Sequence, residues 1–200
     1  MKKIKLLILD VDGVLTNGRK YYDNSGKVIL KSFCDKDWTA IKLFKVQGIK
    51  VIIISGDPFN KFIEKTRGIE TIINRDSNKH KDKADYLDEI LKDNQISSEE
   101  VCFVGDDIFD IGLMKKIKHS FCPNDSPEIV KENCNVLENN GGDNVIFNLY
   151  ETLEKKELIE KLDYESLIED GEVGPDQLPF IREFKEKYKD DVSFLYDFEN

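Results

Sequence analysis

The chain has 200 residues, of which 40% are hydrophobic and 35% are charged, and its 30 basic and 40 acidic side chains give a net charge of −10. A chain of this length can bury a core of its own. The acidic balance excludes the basic surface that binds nucleic-acid backbones, and no apolar run reaches the length that spans a membrane. We therefore expect neither a nucleic acid nor a membrane among its partners.

The N-terminal residues and the cysteines indicate a cytoplasmic location. The apolar run that follows Met1-Lys2-Lys3 is short and soon meets acidic residues, which is not the pattern of a signal peptide. The four cysteines have no C-x-x-C spacing. We interpret them as small buried side chains in a reducing compartment.

The first predicted element is a strand that ends in two carboxylates. Residues 6–9 are all apolar, and Asp10, Val11, Asp12 and Gly13 follow directly. Such a run predicts a strand that is buried on both faces, as in a parallel sheet covered by helices. These sheets bind ligands at the carboxyl ends of their strands, where Asp10 and Asp12 would emerge.

These two carboxylates suit chemistry at phosphorus. Asp10 can act as a nucleophile and as a ligand of Mg2+, the hard cation that offsets the repulsion between a carboxylate and a phosphate. Asp12 can protonate the leaving oxygen and later accept a proton from the hydrolytic water. Such a pair is equally compatible with two turn residues, so the interpretation depends on later segments.

Residues 17–33 predict a β-hairpin directly after this strand. Two short apolar stretches, residues 21–22 and 28–30, flank the turn sequence Asp23-Asn24-Ser25-Gly26. An isolated hairpin is unstable in water, so this one should pack against another surface.

The second apolar strand, residues 51–54, leads into Ser55 and Gly56. A hydroxyl and exposed backbone N–H groups at this place suit a phosphate oxygen, although a serine alone more often caps a helix. Lys79 opens a later predicted helix and can hold the phosphate as well. The lysines that follow it make a solvated helix start an alternative.

The third apolar strand, residues 101–104, leads into Gly105, Asp106 and Asp107, with Asp110 one helical turn further on. Adjacent acids after a glycine can complete a Mg2+ site. Asp107 and Asp110 can equally well cap and charge the start of the following helix.

The order Asp-x-Asp-Gly-Val, Ser, Lys and Gly-Asp-Asp resembles the haloacid dehalogenase superfamily of Mg2+-dependent phosphotransferases, over about residues 4–150. The resemblance implies an α/β fold with a three-layer, Rossmann-like parallel sheet. It also assigns a role to each motif residue: Asp10 as nucleophile and metal ligand, Asp12 as general acid/base and metal ligand through its backbone carbonyl, Ser55, Gly56 and Lys79 on the phosphate, Asp106 on the metal, and Asp107 and Asp110 as supporting residues behind the ligands.

The spacing of the motifs leaves no room for a cap domain. Ser55 follows Asp10 by 45 residues and Lys79 follows Ser55 by 24, whereas even a small independent domain needs about 50 residues. The motifs and the hairpin are similar to the capless phosphatases of 3-deoxy-D-manno-octulosonate 8-phosphate and of nonulosonate 9-phosphates. That group forms tetramers in which hairpins and tails close a neighbour's site, so the resemblance implies a homo-oligomer, in particular a homotetramer.

Two segments depart from the pattern of that group. Asp57 follows Ser55-Gly56, where the group usually has an arginine, lysine or glutamate for substrate selection. Gly141-Gly142 leads into Asp143 without the arginine that the group carries near its end. Because an arginine fork is the natural clamp for a carboxylate, sugar phosphates without a carboxylate remain open as substrates.

We predict a catalytic domain in residues 1–150, with a hairpin at about 17–33 and no cap domain, and an acidic C-terminal extension in residues 151–200. The extension holds 16 acidic and 7 basic side chains, and it is predicted to be helical at first and then rich in aromatic residues. Alternation of strands and helices predicts the parallel sheet. We expect strands near 4–9, 50–54, 70–73, 101–104, 118–122 and 134–137, and helices near 37–47, 58–67, 79–94, 107–117, 127–132 and 143–162.

These features predict a phosphomonoesterase that acts on a small phosphorylated sugar, such as a 2-keto-3-deoxy sugar acid phosphate, through an aspartyl phosphate. Two alternatives remain: a phosphoacceptor module of the receiver type, and a non-catalytic scaffold with the same fold. A receiver carries its acceptor aspartate on a middle strand of the chain, whereas Asp10 follows the first strand. Metal-dependent turnover of an aryl phosphate separates the enzyme from both alternatives.

Overall fold

A six-stranded parallel sheet forms the centre of the computed structural model, which describes residues 2–76 and 82–162. Its strands lie in the order β5-β4-β1-β6-β7-β8, and each neighbouring pair is parallel. A separate antiparallel pair, β2-β3, forms the predicted hairpin. The eight strands are β1 Leu6–Leu9, β2 Tyr21–Tyr22, β3 Val28–Leu30, β4 Lys50–Ser55, β5 Glu70–Ile73, β6 Val101–Val104, β7 His119–Cys122 and β8 Asn135–Val136.

Helices follow the strands of the large sheet and cover both of its faces, which confirms the predicted α/β architecture. Three of them begin with a 3-10 turn, at Pro58–Lys61, Lys83–Tyr86 and Ile108–Asp110. The α-helices of the described residues are α1 Asp35–Val46, α2 Phe62–Arg67, α3 Leu87–Asn94, α4 Ile111–Met114, α5 Glu128–Lys131 and α6 Val145–Lys155.

The three layers follow from the alternation of side chains along the central strands. Leu7 and Leu9 of β1 belong to one buried cluster together with residues of α1 and α6. Leu6 and Ile8 belong to a second cluster together with residues of α3 and α4. All four side chains are fully buried, so β1 is apolar throughout because it has a helical layer on each side.

The last helix ends earlier than the predicted position near residue 162, because α6 stops at Lys155. Glu157 adopts a left-handed conformation with φ 57°, and the Leu158 N–H donates to the Leu153 carbonyl at 2.9 Å. This turn directs Leu158 and Ile159 into the core. The backbone of Leu158 then accepts a hydrogen bond from the Ile4 N–H, so tertiary packing rather than helical periodicity decides the end of the helix.

The hairpin projects from the sheet with much of its apolar surface exposed. Its strands close at the base through a bridge between Thr16 and Phe33. Its tip turns at Gly26, where a φ of 80° suits a glycine. Tyr22 and Leu30 are 58% and 55% exposed, so the packing partner that the sequence predicts is not supplied by residues 2–76 or 82–162.

Three further predictions concern the chain as a whole. Within the described residues, the hairpin is the insertion after β1 and no cap domain is present. No helix there combines the length and the apolarity needed to cross a bilayer. The four cysteines are free thiols, with Cys102 and Cys122 buried. Lys79 and the aromatic part of the extension, residues 163–200, lie outside the described residues.

Candidate active site

The predicted site residues that the structure describes meet at the carboxyl end of the central strands. β1 lies between β4 and β6, so the residues that follow these three strands converge. A cleft of about 530 Å3 opens there, and Asp10, Asp12, Ser55 and Gly56 line it. This is the edge at which parallel sheets with helices on both faces bind their ligands.

Asp10 lies at the bottom of the cleft and is 7% exposed. One of its carboxylate oxygens accepts a hydrogen bond from the Val11 N–H at 2.7 Å, and the other lies 2.8 Å from Nζ of Lys83. Burial raises the pKa of Asp10 to about 6, although Lys83 opposes that shift. For Lys83 burial alone would lower the pKa, but Asp10 and Asp110 outweigh it and raise the pKa above the ordinary value. The pair is therefore an ionic contact between two buried side chains.

Lys83 is a site residue that the sequence reasoning missed. The sequence pattern places it among the lysines of a solvated helix start, but its Nζ contacts Asp10 and lies 2.7 Å from Asp110. A signal was present, because Lys83 precedes Leu87 and Ile90 at the spacing of one helical face. Leu87 and Ile90 are both buried, so this face points at the sheet.

Asp106 offers an uncompensated carboxylate beside Asp10. Its Oδ1 is buried and accepts no hydrogen bond from any described residue. Burial, followed by the charges of Asp10 and Asp110, raises the pKa of Asp106 to about 8. One oxygen each from Asp10, Asp106 and Asp110 lies within 4.8 Å of the other two. Oxygen ligands and unbalanced negative charge fit a hard divalent cation, with Asp10 and Asp106 as its side-chain ligands.

Asp110 supports the loop that carries Asp106 and Asp107. It is fully buried, and its Oδ2 accepts hydrogen bonds from the N–H groups of Asp106 and Asp107 at 2.9 and 3.0 Å. Its Oδ1 accepts one from Lys83 at 2.7 Å. Asp107 is exposed at the cleft wall, and its carboxylate accepts a hydrogen bond from the Ile108 N–H at the start of the 3-10 turn. Asp110 therefore fixes the loop, whereas Asp107 caps the helix start.

Asp12 is held by two lysines of the hairpin, which the sequence reasoning also missed. Nζ of Lys31 donates to both carboxylate oxygens of Asp12 at 2.7 and 2.9 Å. Nζ of Lys20 lies 3.4 Å from Asp12. The Lys31 side chain is 0% exposed although it directly follows an exposed strand. A hairpin lysine ordinarily faces water, so no local pattern distinguished Lys31 from its neighbours.

Ser55 and Asp57 extend the same network. Ser55 Oγ accepts hydrogen bonds from Nδ2 of Asn60 at 2.8 Å and from the Asp57 N–H at 3.2 Å. Asp57 accepts from Lys20 at 2.7 Å and from Lys31 at 2.8 Å. Burial would raise the pKa of Asp57, but these hydrogen bonds outweigh it and hold the pKa well below the usual range. Asp57 is thus an anion that anchors the hairpin.

The Gly141-Gly142 segment braces the turn after Asp12. The Gly142 N–H donates to the Val14 carbonyl at 2.7 Å. A Cβ at Gly141 would lie 1.8 Å from the carbonyl oxygen of Gly13, so a larger residue at 141 would displace that turn. In this chain the segment supports the site through its backbone.

Comparison with known proteins finds similarity to a family of hydrolases and to phosphatases. A model of haloacid dehalogenase-like hydrolases matches residues 66–149. A 3-deoxy-D-manno-octulosonate 8-phosphate phosphatase of Haemophilus influenzae is 32% identical over 145 residues, covering 71% of this chain and 78% of that protein. The enzyme of the same name from Escherichia coli K12 is 38% identical over 119 residues, which are 58% of this chain. The chain spans only 60% of the length of that relative.

A solved structure is similar over a larger share of this chain than the two relatives above. The 3-deoxy-D-manno-octulosonate 8-phosphate phosphatase of Moraxella catarrhalis, in complex with a magnesium ion, a phosphate ion and a KDO molecule, has a TM-score of 0.67 and 25% sequence identity. The similarity covers 76% of this chain and 86% of that one.

Proposed function

Because the chain belongs to the haloacid dehalogenase-like hydrolases, we propose that it is a Mg2+-dependent phosphomonoesterase for a small phosphorylated sugar. One observation carries the proposal. Asp10, at the end of the central strand, lies 2.8 Å from Lys83, and Asp106 beside it presents a buried oxygen without a partner among the described residues. On this proposal a nucleophile and a phosphate-binding cation meet in the cleft, with a metal ligand next to the nucleophile.

The first step forms an aspartyl phosphate. A carboxylate oxygen of Asp10 attacks phosphorus, the bond between phosphorus and the sugar oxygen breaks, and that oxygen takes a proton from Asp12. The hydroxyl of Ser55, the N–H of Gly56 and the Lys83 ammonium hold the phosphoryl oxygens during transfer. Lys79, whose position is not described, remains a second candidate for this role.

The second step returns the enzyme to its starting state. A water molecule attacks phosphorus and gives its proton to Asp12, and the bond between phosphorus and Asp10 breaks with release of inorganic phosphate. Lys31 and Asn60 keep the Asp12 carboxyl in one orientation for both proton transfers, since they contact it at 2.7 to 3.1 Å.

Asp10, Asp106 and the backbone carbonyl of Asp12 are the proposed ligands of the metal. When it is bound, Mg2+ supplies positive charge that lets an anionic carboxylate approach a phosphate dianion. Asp106 is suited to this part because burial, followed by its acidic neighbours, raises its pKa to about 8, and a bound cation would stabilise the charged carboxylate and oppose that shift.

The relatives named above suggest a phosphorylated sugar acid or a related sugar phosphate as the substrate. Free thiols at all four cysteines suit a reducing compartment, so we place the enzyme in the cytoplasm. We also propose a homo-oligomer, specifically a tetramer, because the hairpin beside the cleft leaves Tyr22 and Leu30 exposed.

Phosphate release from a panel of sugar phosphates and from 4-nitrophenyl phosphate tests this function. Mg2+ should support turnover, excess chelator should abolish it, and Ca2+ should fail to replace Mg2+, because its looser and higher coordination misaligns Asp10 with phosphorus. Full activity in chelator would refute the metal dependence. Stoichiometric labelling of the protein without turnover would favour the phosphoacceptor alternative, and neither labelling nor turnover would favour the scaffold.

A further inference from the structure

We propose that Arg75 binds a carboxylate of the substrate and thereby selects phosphorylated sugar acids, an inference that rests on the proposed function. Arg75 is exposed and lines the same cleft as Asp10. It lies in the 3-10 turn Asn74–Asp76 that directly follows β5. The sequence alone offered no arginine for this task, since position 57 and the Gly141-Gly142 segment lack one.

The first argument is the distribution of charge among the described cations that line the cleft, which are Lys20, Arg75 and Lys83. Lys20 contacts Asp57 and Asp12, and Lys83 contacts Asp10 and Asp110. Among the side chains that the structure describes, which do not include that of Asp76, Arg75 has no ion-pair partner. A guanidinium that faces a cleft without a carboxylate partner is available to an anion of the ligand.

The acids of the hairpin network are already paired with lysines. Asp12 and Asp57 contact Lys20 and Lys31, so two acids balance two lysines. Asp57 also accepts a hydrogen bond from the Phe59 N–H at 3.0 Å. Its oxygens are therefore engaged inside the protein, and position 57 does not supply a cation for a substrate anion.

The second argument is the space that Gly56 leaves. A Cβ at Gly56 would lie 3.0 Å from Nε and 3.3 Å from Cζ of Arg75, so the guanidinium lies across the glycine. Gly56 does not have a positive φ. Its lack of a side chain thus serves the close approach of Arg75 to the phosphate loop rather than an unusual backbone conformation.

The position of Arg75 also separates its ligand from the metal. Arg75 follows β5 and Asp106 follows β6, and these strands lie on opposite sides of β1 and its Asp10. A phosphoryl group at Asp10 has Ser55, Lys83 and the metal as its partners. The arginine fork on the β5 side then matches the planar carboxylate of a sugar acid through two parallel hydrogen bonds.

Binding measurements on the full chain test this inference without turnover. In an Asp10→Asn background with Mg2+, calorimetry should compare 3-deoxy-D-manno-octulosonate 8-phosphate with its C1 amide, which lacks the carboxylate. We expect the acid to bind more tightly than the amide. Arg75→Met should weaken binding of the acid by about ten- to a hundredfold and leave the amide unchanged. The affinity of Arg75→Lys for the acid should lie between those of the Arg75 protein and Arg75→Met, because lysine keeps the charge and loses the planar guanidinium fork.

The matched control is Arg67→Met, which removes the same charge from α2, where the guanidinium stacks on Trp38. Equal affinity for acid and amide, or a preference that Arg75→Met leaves intact, would overturn the inference. Equal losses for both ligands would also overturn it, since Arg75 would then hold the phosphate. The result does not depend on catalysis, so a wild-type protein that hydrolyses no phosphate ester refutes the proposed function alone.

Discussion

Lys83 sits between two buried carboxylates, with Asp10 at 2.8 Å and Asp110 at 2.7 Å. Lys83→Met should leave both acids without that cation. Removal of one partner from a buried ion pair costs about 3 to 5 kcal/mol, so we expect a lower urea midpoint. We also expect kcat/KM for 4-nitrophenyl phosphate to fall at least about a hundredfold, because the phosphoryl group loses a charged donor.

Lys79→Met should be compared with Lys83→Met, because the sequence pattern assigns the role of phosphate-binding lysine to Lys79. We expect it to leave the urea midpoint unchanged and to alter kcat/KM by less than about threefold. If Lys79→Met were the more damaging of the two variants, the assignment of the phosphate-binding lysine to position 83 would be wrong.

Among single residues, the sequence predicts those that directly follow a strand. It misses those whose position depends on tertiary contacts. Asp10, Ser55 and Asp106 could be foreseen, because adjacent parallel strands bring their carboxyl ends to one edge. Lys31 and Arg75 could not, since a hairpin and a loop after an edge strand have no periodicity that gives their direction. Their approach to the cleft depends on how those segments pack.

Among the elements, the contact between α1 and α6 includes a buried acid. Oδ1 of Asp37 accepts hydrogen bonds from the Ile146 and Phe147 N–H groups at 2.8 and 3.4 Å, and its Oδ2 is buried with no partner among the described residues. Burial raises the pKa of Asp37 to about 6, although these hydrogen bonds oppose the shift. The folded chain therefore holds this proton more tightly than the unfolded chain, in which an aspartate titrates near about 3.9.

The expected consequence is a stability that falls with rising pH. The contribution of Asp37 is complete below about pH 4 and is lost as the pH rises through its folded value near 6. Asp37→Asn keeps the acceptor for the two N–H groups and cannot ionise. Relative to this variant, the free energy of unfolding of the wild type should fall by about 2 kcal/mol between pH 4 and pH 8 in urea titrations.

Asp35→Asn in the exposed first turn of α1 is the matched control. It should show no such dependence relative to the wild type. A difference between wild type and Asp37→Asn that stays constant over this pH range would contradict the raised pKa.

The elements themselves were largely predictable because all-apolar runs of four to six residues identify buried parallel strands. The starts of the helices and the end of α6 were less predictable from the sequence. Short 3-10 turns precede α2, α3 and α4, where side-chain caps such as Asp57 and Asp82 begin the helices. α6 ends at Lys155 because Leu158 and Ile159 gain more by entering the core than by continuing a helix into solvent.

At the scale of the whole molecule, the hairpin exposes apolar side chains that no described residue of the same chain covers. Four apolar side chains of the hairpin are each more than half exposed: Tyr21, Tyr22, Ile29 and Leu30. The base of the hairpin nevertheless reaches the candidate active site, because Lys31 contacts Asp12. An exposed apolar surface next to a cleft is typical of a contact with another chain. Assembly and catalysis are therefore expected to depend on the same segment.

We expect the wild type to sediment as a tetramer at micromolar concentration. Tyr22→Asp combined with Leu30→Asp should dissociate it, because charged residues cannot be buried in an apolar contact. kcat/KM for the natural sugar phosphate should then fall more than that for 4-nitrophenyl phosphate, since the neighbour's residues would wall only the larger substrate. Lys27→Asp at the exposed tip of the hairpin controls for the change in charge. A wild-type monomer with undiminished activity would rule out this assembly.

The central claim is that Asp10 attacks phosphorus, and one comparison tests it most directly. Phosphate release in Mg2+ should be measured for the wild type, for Asp10→Asn and for Asp88→Asn, whose carboxylate is exposed on α3. We predict turnover by the wild type and by Asp88→Asn, and a loss of at least about a thousandfold in Asp10→Asn, because the amide keeps the shape of the side chain and lacks the attacking oxygen. A cooperative urea transition should show that Asp10→Asn still folds. Turnover by Asp10→Asn near the wild-type rate would contradict the claim.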